Sequence, residues 1–122
     1  MNTTMLTMAA LAAIVAAPAA AQDAKAGEKV FVACKTCHAV GAGQNRIGPS
    51  LAGIVGRKSG IYAKFTYSAA MKAKNVTWTE ANLDTYLTKP QAYVKGTKMA
   101  YPGLPDAKKR KDLIAYLKTL KG

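Results

Sequence analysis

The sequence predicts an all-α domain, and three observations carry that prediction. Helix caps stand at Asp23, Thr79 and Asp106, each just ahead of a segment with helical character. Leu113, Ile114, Leu117 and Leu120 recur on one stripe, as they do on a helix that turns one face to a core. Nowhere does the chain offer a convincing strand.

The elements follow in chain order. The first 21 residues carry no charged side chain, and Met5 to Ala21 is rich in Ala, Met and Leu, closing on Ala19-Ala20-Ala21 before Gln22. Residues 1–21 therefore read as a secretory signal peptide with an A-x-A cleavage site, although no Lys or Arg precedes the apolar run. As an uncleaved anchor the run would fall short: a span takes about 20 strongly apolar residues, and this one is Ala-rich and broken by Pro18. Residues 22–122 then form one small domain, without repeat, linker or low-complexity tract.

Within that domain a first helix follows Asp23 and turns Val30, Phe31 and Cys34 to one side. Ser68 reads as an N-cap and Asn75 as a stop around Met71. Thr79 caps the next helix, with Trp78 before the cap and Leu83 four positions into the helix as a hydrophobic staple. That helix ends near Thr88, because Pro90 disfavours helical geometry in Lys89. The last helix starts near Asp106.

All 18 Lys and Arg and all 6 Asp and Glu lie after residue 21, so the domain keeps the full +12. Charge of this size speaks to partners and steering, not to fold. Nucleic acid is not the expected partner, since a protein with such a leader is expected to be exported and the basic residues are spread from Lys25 to Lys121 without a dense run.

Both cysteines and the single histidine fall within ACKTCH, residues 33–38. A disulfide between Cys34 and Cys37 would close a tiny loop and constrain the unfolded chain little. A redox dithiol belongs beside a βαβ unit, and a structural zinc site takes four Cys or His ligands where only three exist. C-x-x-C-H is, however, the attachment signature of a covalent haem. Each thiol adds to a vinyl group, the adjacent His38 is placed to coordinate iron, and the apolar disc supplies the core that so small a domain lacks.

A second axial ligand must then be found. There is no other histidine, and after residue 21 the only methionines are Met71 and Met99. Met71 sits in a helical stretch where methionine usually fills core. Met99 lies in the loop KGTKMAYPG, and loops present ligands freely, so Met99 is assigned opposite His38.

The motifs ACKTCH, IGPSL, VGRKSG, FTYSAA, VTWTEANLDTYLTKPQAYVKGTKM and DLIAYLKTLKG, in that order, resemble class I c-type cytochromes of the cytochrome c2 and mitochondrial cytochrome c type. The resemblance spans essentially the whole domain. It implies the cytochrome c fold, helices wrapped around one covalently bound haem c, with the first and last helices crossing closely at Gly27, Phe31, Leu113 and Tyr116. It also implies roles for single residues. Pro49 offers its carbonyl to the free N–H of His38; Arg57, Tyr67 and Trp78 hold the propionates; Thr97 lies near a propionate and Tyr86 near the methionine sulfur.

Two departures stand out. Met71, which donates no hydrogen bond, replaces an amide side chain of the mitochondrial relatives. The lysine ring of those relatives is thinned by Gln91, Ala92 and Pro105, leaving Arg46 and Lys98, with Lys35, Lys95 and Lys108.

What the resemblance implies functionally is a soluble periplasmic electron carrier, not an enzyme. Its expected partners are membrane redox complexes with acidic docking surfaces: a cytochrome bc1-type quinol-oxidising donor, and an oxidase, reductase or photosynthetic reaction centre as acceptor. The carrier itself is expected to be a monomer.

Overall fold

A computed structural model describes residues 7–12 and 22–122. The predicted leader falls mostly on residues 1–6 and 13–21, which lie outside the described residues. Five helices follow one another: α1 (Ala24–Phe31), α2 (Ala69–Lys74), α3 (Glu80–Thr88), α4 (Pro90–Tyr93) and α5 (Ala107–Lys118). Among the described residues the only β pairing is an isolated antiparallel bridge between Lys58 and Thr77. None of these helices is long and apolar enough to cross a membrane.

Side chains close the helix starts where free N–H groups need acceptors. Asp23 accepts from the Lys25 and Ala26 amides, Ser68 from Met71, Thr79 from Asn82 and Asp106 from Lys109. Asn75 ends α2 in the left-handed region, at φ 50°. Pro90 ends α3 as expected, by holding Lys89 out of helical geometry (φ −157°, ψ 87°). Because the ring needs no amide hydrogen, Pro90 then opens the four-residue α4 at its first position.

The core gathers Phe31 from α1, Ile54 and Trp78 from the loops, Leu83, Tyr86 and Leu87 from α3, Val94 after α4, and Leu113, Ile114 and Leu117 from α5. Trp78 and Leu83 sit in it together, as the staple requires. The tightest junction is α1 against α5. A Cβ on Gly27 would lie 1.8 Å from the backbone oxygen of Asp112, so the helices approach where only hydrogen can stand. Beside it Phe31 meets Tyr116 at 5.0 Å between ring centroids.

Polar bonds fix the same junction. The buried Asp112 carboxylate accepts from Lys108 one turn earlier and from the Asp23 amide at the mouth of α1. Those two donors hold its pKa below the ordinary value. Arg110 ties α5 to α3 through Asp84 (2.9 Å) and to the carbonyls of Leu104 and Pro105.

Replacing Gly27 by alanine should therefore unseat α1 from α5. Since the clash is with backbone, which cannot rotate aside, the expected loss is about 3 kcal/mol or more, read as a lowered denaturation midpoint of the haem-loaded protein at unchanged slope.

Candidate functional site

The Cys-x-x-Cys-His segment grows directly out of α1. Past Phe31 the chain keeps turning: the Cys34 amide donates to the Phe31 carbonyl at 2.8 Å, and Cys37 and His38 both donate to the Cys34 carbonyl at 3.1 and 2.9 Å. Two thiols and an imidazole are thus carried on successive turns of one pinned element. Both cysteines are half-buried and unbridged. Burial, and then the neighbouring Cys37, pushes the Cys34 thiol up to about 11. At that value the Cys34 thiol is protonated at neutral pH.

His38 is set by its neighbours on the Gly48-Pro49 turn. Its Nδ1 lies 2.7 Å from the Pro49 carbonyl, which only accepts, so Nδ1 carries the proton and Nε2 keeps its lone pair. Desolvation lowers the His38 pKa; the Pro49 bond opposes that shift and the Arg57 charge adds to it. A neutral ring with a directed lone pair is the form that coordinates a metal. Gly48 makes room for it, because a Cβ there would stand 2.4 Å from His38 Cε1.

Met99 lies in the loop after α4, partly buried against the core. Tyr86 on α3 aims its hydroxyl at the Met99 sulfur (3.7 Å), and the Met99 amide donates to Thr97 Oγ1 (3.3 Å). Burial raises the Tyr86 pKa, against a lowering bond to Thr97, so the hydroxyl stays protonated at neutral pH. Met71 also packs on the core, from α2, and its amide donates to the Ser68 cap.

The other residues singled out from the sequence lie on the loops between α1 and α3. Arg57 donates from Nη1 to the Ser50 and Ala52 carbonyls (3.0 and 3.1 Å), with its guanidinium 4.3 Å over the Tyr62 ring. The Tyr67 hydroxyl accepts from the Tyr62 amide (3.2 Å). Trp78 is buried and stacks beside Tyr86 at 4.9 Å, while its backbone pairs with Gly56 and Arg57. The structure thus brings Tyr86, Thr97 and Met99 into one cluster, and His38 with Pro49 into another.

Four more residues shape the site without having been singled out from the sequence. Besides Gly48, Asn45 accepts from the Ser50 amide and donates to the Ala63 carbonyl, bridging two loops. Buried Ser50 donates to the Gly41 carbonyl, and the Tyr62 hydroxyl accepts from the Gly43 amide. Their only signal is polar or small residue type within a loop, which many solvated positions share.

Two thiols, an imidazole with its free lone pair kept by Pro49, and a thioether under a hydroxyl are the donors that a covalent haem takes. Gly48, the cradle that a side chain would fill, fits the same group. Helices assembled around such a donor set define the c-type cytochromes. The comparisons agree: residues 24–121 match the Cytochrome c family. The chain is 50% identical to cytochrome c2 of Blastochloris viridis over 84% of its own length and 81% of that protein. It is 52% identical to cytochrome c of Guizotia abyssinica, covering 84% of this chain and 94% of that one. A solved structure, cytochrome cH from Methylobacterium extorquens, superposes with a TM-score of 0.75 at 47% identity, over 80% of this chain and 98% of the other.

The chain belongs to the cytochrome c family. It is an electron-transfer protein rather than an enzyme, and binds one haem c covalently through Cys34 and Cys37.

The close fit of His38 over Gly48 can be tested directly. Gly48→Ala should displace the imidazole, and intact mass and absorption of the exported protein should then show a several-fold lower haem-loaded fraction than in the parent.

Proposed function

We propose that this chain is a soluble periplasmic carrier that moves single electrons between membrane redox complexes. The donor is a cytochrome bc1-type quinol-oxidising complex and the acceptor an oxidase, a reductase or a photosynthetic reaction centre. His38 and Met99 would hold the haem iron, with Pro49 orienting His38, and Arg57, Tyr67, Trp78 and Thr97 would serve the propionates. Tyr86 holds the Met99 sulfur. The observation that carries this reading is an oriented imidazole together with a thioether that already has a hydroxyl donor (3.7 Å); with both on the iron, no position would be left for substrate.

Haem supplies an iron that alternates between ferrous and ferric forms, at a potential that thioether ligation raises. The protein's part is to keep the ligands in one place through the change. Pro49 fixes the ring and its tautomer, and Tyr86 and Thr97 fix the methionine.

Charge placement supports a docking role. The six carboxylates are Asp23, Glu28, Glu80, Asp84, Asp106 and Asp112, all on α1, α3, α5 or their caps. From Lys29 to Thr79 there is no acid, yet eight cations, and from Thr85 to Pro105 none against Lys89, Lys95 and Lys98. The loops that carry the site are thus uniformly positive, which suits steering towards an acidic partner face.

Two outcomes check the reading. Met99→Ala should lower the midpoint potential and open the iron to cyanide, whereas Met71→Ala should leave ligation intact; the reverse pattern would transfer the ligand role to Met71. With a purified bc1-type donor, the bimolecular rate constant should fall at least several-fold as salt rises from about 10 mM, where the screening length is about 30 Å, to 150 mM. A rate insensitive to salt would remove charge steering from the account.

A further inference from the structure

We propose that Gln91 is a positioning residue for Met99: its side-chain amide grips the Met99 carbonyl and keeps the sulfur-bearing loop closed. The inference rests on the reading of Met99 as an axial ligand.

The bond is short, with Gln91 Nε2 2.7 Å from Met99 O; a carbonyl only accepts, so the amide nitrogen faces it. Its importance comes from what the loop lacks. Backbone hydrogen bonds run from Val94 N to Pro90 O and from Thr97 N to Val94 O, and resume only where Leu104 N meets Leu87 O. Among the described residues, 98–103 make no backbone-to-backbone bond of their own. The segment bearing Met99 is held by side chains instead.

The three other ties do not duplicate the one from Gln91. Thr97 receives the Met99 amide from within the same loop. Lys98 Nζ reaches the Thr66 carbonyl on another loop. Tyr86 touches the sulfur but not the backbone. Only Gln91 fastens the Met99 backbone to a helix, and α4 is constructed to present it. Pro90 is fully buried at the first position and anchors the turn, which leaves Gln91 exposed at the second. At the far end of the loop a Cβ on Gly103 would meet the Thr88 oxygen at 2.3 Å, so that end is pressed against α3 and Met99 is the part left to Gln91.

If Gln91 keeps the loop closed, losing its donor raises the population in which the sulfur has left the iron, and exogenous ligands gain by that fraction. The experiment uses haem-loaded ferric protein and reads cyanide affinity, midpoint potential and the far-red band of thioether-to-iron ligation. Gln91→Ala, and Gln91→Glu, which keeps the size but cannot donate when ionised, should both bind cyanide about fivefold more tightly, corresponding to about 1 kcal/mol. Both should weaken the far-red band. Gln91→Arg restores a donor that never deprotonates into a ligand, and should return cyanide affinity towards the parent value. Parent-like cyanide affinity in both the Ala and Glu variants overturns the proposal, as does an Arg variant no better than the Glu variant. Should Gln91→Ala fail to accumulate, the Glu and Arg comparison decides alone. Met99→Ala separates the two levels: if it keeps the far-red band, the ligand reading fails; if it loses the band while the Gln91 variants behave as the parent, only the Gln91 inference fails.

Discussion

The structure depends most on how α1 is pinned. Cys34, Cys37 and His38 ride on turns that continue α1, so any rotation or slip of that helix would displace both cysteines and the histidine together. Gly27 brings the helix against the backbone of α5, Asp112 captures its first amide at Asp23, and Phe31 fills the remaining gap against Tyr116. Contact between backbones has little give. A covalent attachment point gains most from being mounted on such a junction, because reacting groups must be held to within a fraction of an ångström.

The two faces of the site are supported in different ways. On the histidine side the ring is fixed by a carbonyl from a proline turn and by a glycine that stands in van der Waals contact with it, so geometry is set by backbone. On the methionine side the loop is long, without backbone ladder bonds between residues 98 and 103, and side chains from α3, α4 and the loop itself set the position of Met99. Backbone supports have fewer rotatable bonds to freeze than side-chain supports do. The position of Met99 therefore rests on side-chain rotamers more than that of His38 does.

Much of this was legible from residues alone. The caps at Asp23, Thr79 and Asp106, the stop before Pro90 and the stripe on α5 announce themselves because each has a local cause in residue type and spacing. The attachment motif was legible for the same reason, since chemistry requires its spacing. Asn45, Ser50, Tyr62 and Gly48 were not, because their importance lies in partners that loop folding brings near: the Asn45 bridge spans 18 positions to Ala63, and Tyr62 reaches back 19 to Gly43. No pattern of period 2 or 3.6 encodes such pairings. Gln91 stood out in the sequence for what it replaced, the positive charge of relatives. Its contact with Met99 needed the turn of α4.

Charge and support finally belong to one arrangement. Acids serve where helices need caps or cross-links: Asp23 and Asp106 close helix starts, Asp84 and Asp112 bind Arg110 and Lys108, and Glu80 meets Lys118 at 3.3 Å. Those are duties of the helical junction. The loops around the site are instead bonded by amides, hydroxyls and carbonyls, with Arg46, Arg57 and Lys98 turned onto backbone oxygens. Their internal cohesion hence requires no carboxylate. Because those bonds need no acid, the loops can keep their net positive charge without losing their own hydrogen bonds.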